Sequence, residues 1–121
     1  MILDHVGLYV SDLSASRAFY TAALAPLGIS VLIEGDGWCM FGSGRQPQFW
    51  IGDRGPAPGG IHLAFVAADR AHVHAFHAAA LVAGGRDNGA PGPRDYHPAY
   101  YGAFVIGPDG HNIEAVCHTP E

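Results

Sequence analysis

Apolar residues alternate with small or polar ones at the start of the chain. Val6, Leu8 and Val10 fall on one face of a strand over residues 2–10, and His5, Gly7 and Tyr9 on the other. The period then lengthens. Residues 12–25 read as a helix with Phe19, Ala22 and Ala23 on one stripe, and Pro26 and Gly28 end it. Short β-prone segments follow at 29–34, 37–42 and 47–52, separated by Gly35-Asp36-Gly37 and Gly42-Ser43-Gly44-Arg45, both of which favour turns. Residues 54–60 are a linker by composition. Beyond it a strand at 60–67 and a helix at 70–83, closed by Gly84-Gly85, begin the pattern again. The segment 87–93 is too rich in Gly and Pro for a long regular element. Strands at 100–106 and 111–118 flank the turn Gly107-Pro108-Asp109-Gly110.

The second half repeats the first. Sliding the sequence by 57 positions lays His5 on His62, Asp12 on Asp69, Phe19 on Phe76, Leu24 on Leu81 and Gly28 on Gly85, with Ala18, Ala22 and Ala23 on further alanines. These are eight identities in 25 ungapped positions, where chance gives roughly two. The expected fold class is therefore α+β: two tandem βαβββ modules, the first over about residues 1–53 and the second over about 61–118. One domain of 121 residues is expected, because halves of about 60 residues are marginal alone. Asp12 and Asp69 are helix N-caps in this reading. His5 and His62 have no such plain structural role. Each points away from the bulky apolar face, next to a small residue, Gly7 or Ala64, that leaves room.

Composition narrows the partners. Only 14% of residues are charged and the formal net charge is −5, with no Lys/Arg cluster, so nucleic acid is not an expected partner. No apolar run approaches the ~18 residues of a membrane span and nothing resembles a signal peptide, so a cytoplasmic protein without a membrane partner is expected. Cys39 and Cys117 lie in apolar strands without metal or redox spacing and read as free buried thiols.

Glu114 stands in the middle of an otherwise apolar last strand. By itself it reads as a glutamate on the wet face of an antiparallel sheet. Together with His5 and His62 it becomes the third member of a set that suits a divalent metal: two imidazoles and one carboxylate, with positions left for substrate or water. His72, His74 and His77 on the second helix, His111 in a turn and His118 near the tail read as solvated surface.

The doubled βαβββ unit, the strand-borne histidine heading each copy, and the ending Gly107-Pro108-Asp109-Gly110-His111-Asn112-Ile113-Glu114-Ala115-Val116 together resemble the vicinal oxygen chelate superfamily. That group includes glyoxalase I, extradiol dioxygenases, methylmalonyl-CoA epimerase, and the fosfomycin and bleomycin resistance proteins. The resemblance implies a curled mixed sheet around a cleft, with helices outside, and one divalent metal (Fe, Mn, Co, Ni or Zn) held by His5, His62 and Glu114. It also implies a cleft lined by Tyr9, Trp38, Phe49 and Trp50 and by the segment carrying Tyr96, His97, Tyr100 and Tyr101. Phe49 and Trp38 equally fit an ordinary core. His97 or Tyr96 is placed to act as a general acid or base. Glyoxalase-type members have a fourth ligand, Glu or Gln, on the last strand of the first half. Here its nearest equivalent is Trp50, or Ile51 one residue along, and neither binds metal.

Three functions follow from the resemblance. The leading one is a small metal-dependent lyase or isomerase whose metal chelates neighbouring oxygens of a small-molecule substrate and stabilises an oxyanion. The alternatives are a non-haem Fe(II) extradiol-type dioxygenase and a metal-free protein that sequesters a small molecule. Convergence of His5, His62 and Glu114 on a centre about 2.0–2.3 Å from each would mark a metal site; a separated triad or a bridging salt link favours the binding protein. A homodimer, in some members with modules exchanged between chains, is the expected assembly.

Overall fold

A computed structural model describes residues 2–120. The elements run β1 (Val6–Tyr9), α1 (Leu13–Leu24), a 3-10 turn (Ala25–Leu27), β2 (Ser30–Gly35), β3 (Trp38–Ser43) and β4 (Gln46–Gly52). They then run β5 (His62–Val66), α2 (Arg70–Val82), β6 (Arg86–Pro93), β7 (Tyr101–Ile106), a 3-10 turn (Pro108–Gly110) and β8 (Asn112–Cys117). The strands form two four-stranded sheets of matching order, β1-β4-β3-β2 and β5-β8-β7-β6. In each, the first strand runs parallel to its neighbour and the remaining pairs are antiparallel. This is the tandem α+β arrangement that the repeat implies.

Local chemistry explains the helices. Asp12 and Asp69 sit in extended conformation and accept from the backbone N–H three residues on, Ala15 at 3.0 Å and His72 at 2.9 Å. Such caps are worth about 1 kcal/mol each. Gly28, at φ 77, ends the turn after α1 in the left-handed region that costs glycine little. The buried stripe of α1 differs from the expected one. Phe19 and Ala23 are buried as expected, but Tyr20 and Leu24 are buried with them and Ala22 is exposed. The larger side chains occupy the contact because α1 packs on both α2 and β4.

A single hydrophobic cluster runs through both modules. Phe49 of β4 meets Phe65 of β5 with ring centroids 5.4 Å apart. Phe19 lies in a slot left by two glycines of the second module: a β-carbon on Gly85 or Gly107 would stand 2.9 Å from its ring. Ser11 N–H donates to Asp109 Oδ2 at 3.1 Å, adding a polar tie between the modules. Cys39 and Cys117 are buried and free, as expected.

Residues 86–93 depart from the sequence reading. They form the eight-residue strand β6 despite their glycines and prolines. β6 is an edge strand pairing only with β7, and its register shifts twice, between Asp87 and Gly89 and between Gly89 and Gly92. Edge position and bulges are where a strand tolerates prolines. His111 also departs. It is buried, not solvated: Ile61 N–H donates to its Nδ1 at 3.0 Å, and burial holds its pKa below the ordinary value. His77 is largely covered too, and its Nε2 bonds Asp87 Oδ1 at 3.0 Å.

Candidate functional site

Glu114 is the buried carboxylate of the second sheet. It pairs across strands with Ala64 on β5 and Phe104 on β7, and is only 1% exposed. A solvent-facing glutamate is thereby replaced by one with named partners. The Tyr100 hydroxyl donates to its Oε2, and its Oε1 lies 3.2 Å from His62 Nε2. Glycine at 102 makes this possible, since a β-carbon there would stand 2.8 Å from Glu114 Oε2 and 3.3 Å from the Tyr100 ring. Desolvation first, and the carboxylate second, push the Tyr100 pKa well above the usual phenol range. Tyr100 therefore stays protonated and acts as a donor.

His62 heads β5, and its Nδ1 lies 3.1 Å from the carbonyl oxygen of Asn112. A carbonyl only accepts, so Nδ1 carries the hydrogen and Nε2 of the neutral ring presents a lone pair. That lone pair faces Glu114 Oε1. Two acceptors hold this distance only with a proton or a cation between them. Two donors about 2.1 Å from one ion and roughly 90–110° apart stand about 3.0–3.4 Å from each other, which brackets the 3.2 Å separation. The pair thus has the chemistry and span of neighbouring metal ligands, and equally suits an imidazolium–carboxylate pair.

His5 immediately precedes β1 and has the same tautomer. Its Nδ1 lies 2.7 Å from Asp4 Oδ1, leaving Nε2 free, as carboxylate-backed ligand histidines are. It lines a pocket of about 350 Å³ with Gly7, Tyr9, Met40 and Trp50. The edge of the Tyr9 ring meets Trp50, centroids 5.5 Å apart. Within one chain, however, His5 does not join His62 and Glu114. Among the described residues no three His, Cys, Asp or Glu side chains gather closely enough to hold a metal.

Register identifies the equivalent of Glu114 in the first module. Gly7 pairs with Trp50 as Ala64 pairs with Glu114, and Gly7 and Ala64 are matched by the repeat. Trp50, not Ile51, holds the corresponding position.

The other predicted residues divide. Tyr96 and His97 pack edge-on against Tyr100, with centroids 5.0 and 5.2 Å away, and His97 stacks on His118 at 4.4 Å. They surround the donor to Glu114. Tyr101 turns the other way, toward α2, where His74 Nε2 lies 2.7 Å from its hydroxyl and Arg70 lies over its ring. Tyr100, just before β7, reaches Glu114 while Tyr101, its first residue, reaches α2, so the two do not share a cleft. Phe49 is core, packed with Tyr20 and Phe41. Trp38 lies across Gly35 of β2, outside the pocket around His5.

Several residues at the site were not foreseen. Asn112, Gly102, Phe104 and Arg94 all border the His62–Glu114 pair or its neighbours. For Asn112 the signal was present, since it stands two residues before Glu114 on the same face of the strand. Phe104 stacks on His62 at 6.1 Å, and the Arg94 guanidinium lies 5.4 Å from the Phe104 ring. His118 borders the site too, with its ring 5.3 Å from Tyr100.

Comparison with known proteins agrees with this architecture. Residues 2–115 match the model of the Glyoxalase/Bleomycin resistance protein/Dioxygenase superfamily. A glyoxalase/bleomycin resistance protein from Albidiferax ferrireducens T118 is 33% identical, with a TM-score of 0.83 over 96% of this chain and 98% of that one. Lactoylglutathione lyase from Agrobacterium tumefaciens shares the fold at 23% identity, with a TM-score of 0.69 over 96% of this chain and 92% of its own. A glyoxalase/bleomycin resistance protein/dioxygenase family enzyme from Burkholderia phytofirmans PsJN does so at 17% identity, with a TM-score of 0.72 over 93% and 95%. No curated protein matches the chain. No helix among the described residues is long and apolar enough to cross a membrane. Doubled modules, matched strand orders and the family match over nearly the whole chain place this protein in the glyoxalase/bleomycin resistance protein/dioxygenase superfamily.

Proposed function

We propose that the protein is a metal-dependent enzyme of the lyase or isomerase kind acting on a small molecule with two neighbouring oxygens. The observation that carries this reading is the His62–Glu114 pair: a lone pair and a carboxylate 3.2 Å apart, the carboxylate buried and held from behind by Tyr100. His5 is the third ligand, with its free Nε2 and carboxylate-backed Nδ1. A divalent ion bound there supplies Lewis acidity toward the paired oxygens.

The protein's own groups do the rest. Tyr100 orients the Glu114 carboxylate, and Asn112 fixes the His62 tautomer. His97 and Tyr96, beside Tyr100, handle the proton at the rim of the site. Tyr9 and Trp50 form an aromatic wall beside His5.

Because His5 is apart from the other two ligands within one chain, the working unit of this proposal is a homodimer in which His5 of one copy meets His62 and Glu114 of the other. An open groove of about 400 Å³ along β1 and β5, lined by Leu3, Val6, Leu63 and Phe65 among others, and Val66 at 78% exposure supply apolar surface for a second copy. Elemental analysis of protein purified without chelator or affinity tag tests the reading. About one metal ion per His5/His62/Glu114 set is expected, lost in His5→Ala and in Glu114→Ala. Mixing those two variants restores one intact site per heterodimer if the ligands are shared across chains. Which metal binds then directs the assays, toward ring-cleaving oxygenation for iron and toward isomerase or lyase chemistry for nickel, zinc or manganese.

The separation of the triad within one chain favours a second reading, a metal-free binding protein in which His62 is an imidazolium paired with Glu114. No metal in the parent and none taken up on adding it back would establish that reading instead.

A further inference from the structure

We propose that Arg94 anchors a carboxylate of the molecule bound against His62 and Glu114. The inference rests on the proposed site but not on its metal. Arg94 is half-buried, and its guanidinium is built into a cradle made by the bulges of β6. Nη1 donates to the carbonyls of Gly92 (2.9 Å) and Pro93 (3.2 Å), and Nη2 donates to that of Ala90 (2.9 Å). Glycines clear the space around it: a β-carbon on Gly89 would stand 3.2 Å from Nη2, and one on Gly92 would stand 3.2 Å from Nη1. The second register shift, between Gly89 and Gly92, spans Ala90, whose carbonyl joins those of Gly92 and Pro93 on one cation.

Those carbonyls fix the guanidinium without neutralising it. Among the described residues no ion pair involves Arg94, whereas Arg17 and Arg54 have Glu34 and Asp36. A partly desolvated cation held only by neutral acceptors retains its attraction for a counter-ion. Three of its five N–H groups are used, leaving Nε–H and one hydrogen on Nη2. These nitrogens flank the edge of a guanidinium that takes a carboxylate with two parallel hydrogen bonds.

Position connects this edge to the site. The guanidinium and the His62 ring are each within about 6 Å of the Phe104 ring, and Phe104 is the cross-strand partner of Glu114. Arg94 N–H also donates to Tyr100 O at 3.0 Å, closing the loop that carries Tyr96 and His97. A ligand that presents its oxygens at His62 and Glu114 and lies along Phe104 brings a distal carboxylate to Arg94.

Catechol and 3,4-dihydroxybenzoate test this, because both present neighbouring oxygens and they differ in one carboxylate. Calorimetric titration of the full chain, manganese-loaded and metal-stripped, reads their relative affinity. Wild-type protein is expected to prefer the carboxylated probe about tenfold. Arg94→Gln is expected to abolish the preference between the two probes, and Arg94→Lys to keep part of it. In wild-type protein the NMR signal of Arg94 Nε–H should shift with 3,4-dihydroxybenzoate and not with catechol, which keeps the test independent of how the variants fold. Equal affinities in wild type, a preference that survives Arg94→Gln, or no binding of either probe at millimolar concentration overturns the proposal. Catechol binding that ignores metal and Glu114→Gln defeats the metal reading alone and leaves the carboxylate preference as a separate result.

Discussion

A β-carbon on Gly102 would stand 2.8 Å from Oε2 of Glu114, so the buried carboxylate occupies space that only glycine leaves open. Gly102→Ala is therefore expected to displace Glu114 from Tyr100 and to destabilise the fold by about 1–3 kcal/mol, the usual result of overpacking a tight site. Chemical denaturation measures the loss. A change below about 0.5 kcal/mol would mean that the Glu114 side chain has another place to go.

Tyr100→Phe removes the hydroxyl that donates to Glu114. The ring remains, so packing is nearly unchanged while a buried carboxylate loses a charge-assisted bond. A stability loss of about 1.5–3 kcal/mol is expected. Chemical denaturation of the variant beside the parent reads this loss. In the metal-binding reading, metal affinity should fall about 10–100-fold, as it does when a ligand loses its supporting partner.

His111 makes stability depend on mild acid. It is buried, its Nδ1 accepts from Ile61, and burial lowers its pKa from the ordinary 6.5. Below about pH 6.5 the unfolded chain takes up a proton that the folded chain refuses, so its contribution is complete above that pH and declines as pH falls toward the folded value. One such group changes stability by up to about 1.4 kcal/mol per pH unit. Thermal melts between pH 7 and 5 should show this slope, flattened in His111→Gln. Asp69 and Asp87, held below 3.8 foremost by their side-chain hydrogen bonds to His72 and His77, act only at lower pH; the difference between parent and His111→Gln isolates His111 from the other histidines.

Gly59→Ala should be among the most damaging single changes. Gly59 has φ 77, and a β-carbon there would lie 2.0 Å from the carbonyl oxygen of Asp109. Both strain and collision act on the segment that precedes Ile61 and its bond to His111. A loss above about 2 kcal/mol is expected, with a lowered melting temperature as the readout.

The sequence discloses the fold through the repeat and the turns, because strand period, N-cap aspartates and terminating glycines are local signals. His5 and His62 are legible for the same reason, since each begins a strand and opposes its apolar face. What escapes is set by neighbours distant in sequence. Glu114 reads as surface until Tyr100 and His62 are placed beside it. His111 reads as a turn residue until Ile61, fifty positions earlier, bonds to it. Tyr100 and Tyr101 look equivalent in a list of aromatics, and only the point at which β7 begins sends one to Glu114 and the other to α2. The strand at 86–93 was hidden because glycine and proline signal a break locally. At a sheet edge they instead permit the bulges that seat Arg94.

Trp50 and Glu114 occupy the same place in the two halves of the repeat. The backbone is thus nearly symmetric while the chemistry at this position is not: an indole stands in one half where a carboxylate stands in the other. A molecule touching both has only one favourable way round. The asymmetry is also a single side chain deep: Trp50→Glu would set a carboxylate beside His5 as Glu114 lies beside His62, giving the first half a copy of the pair that the second half already has.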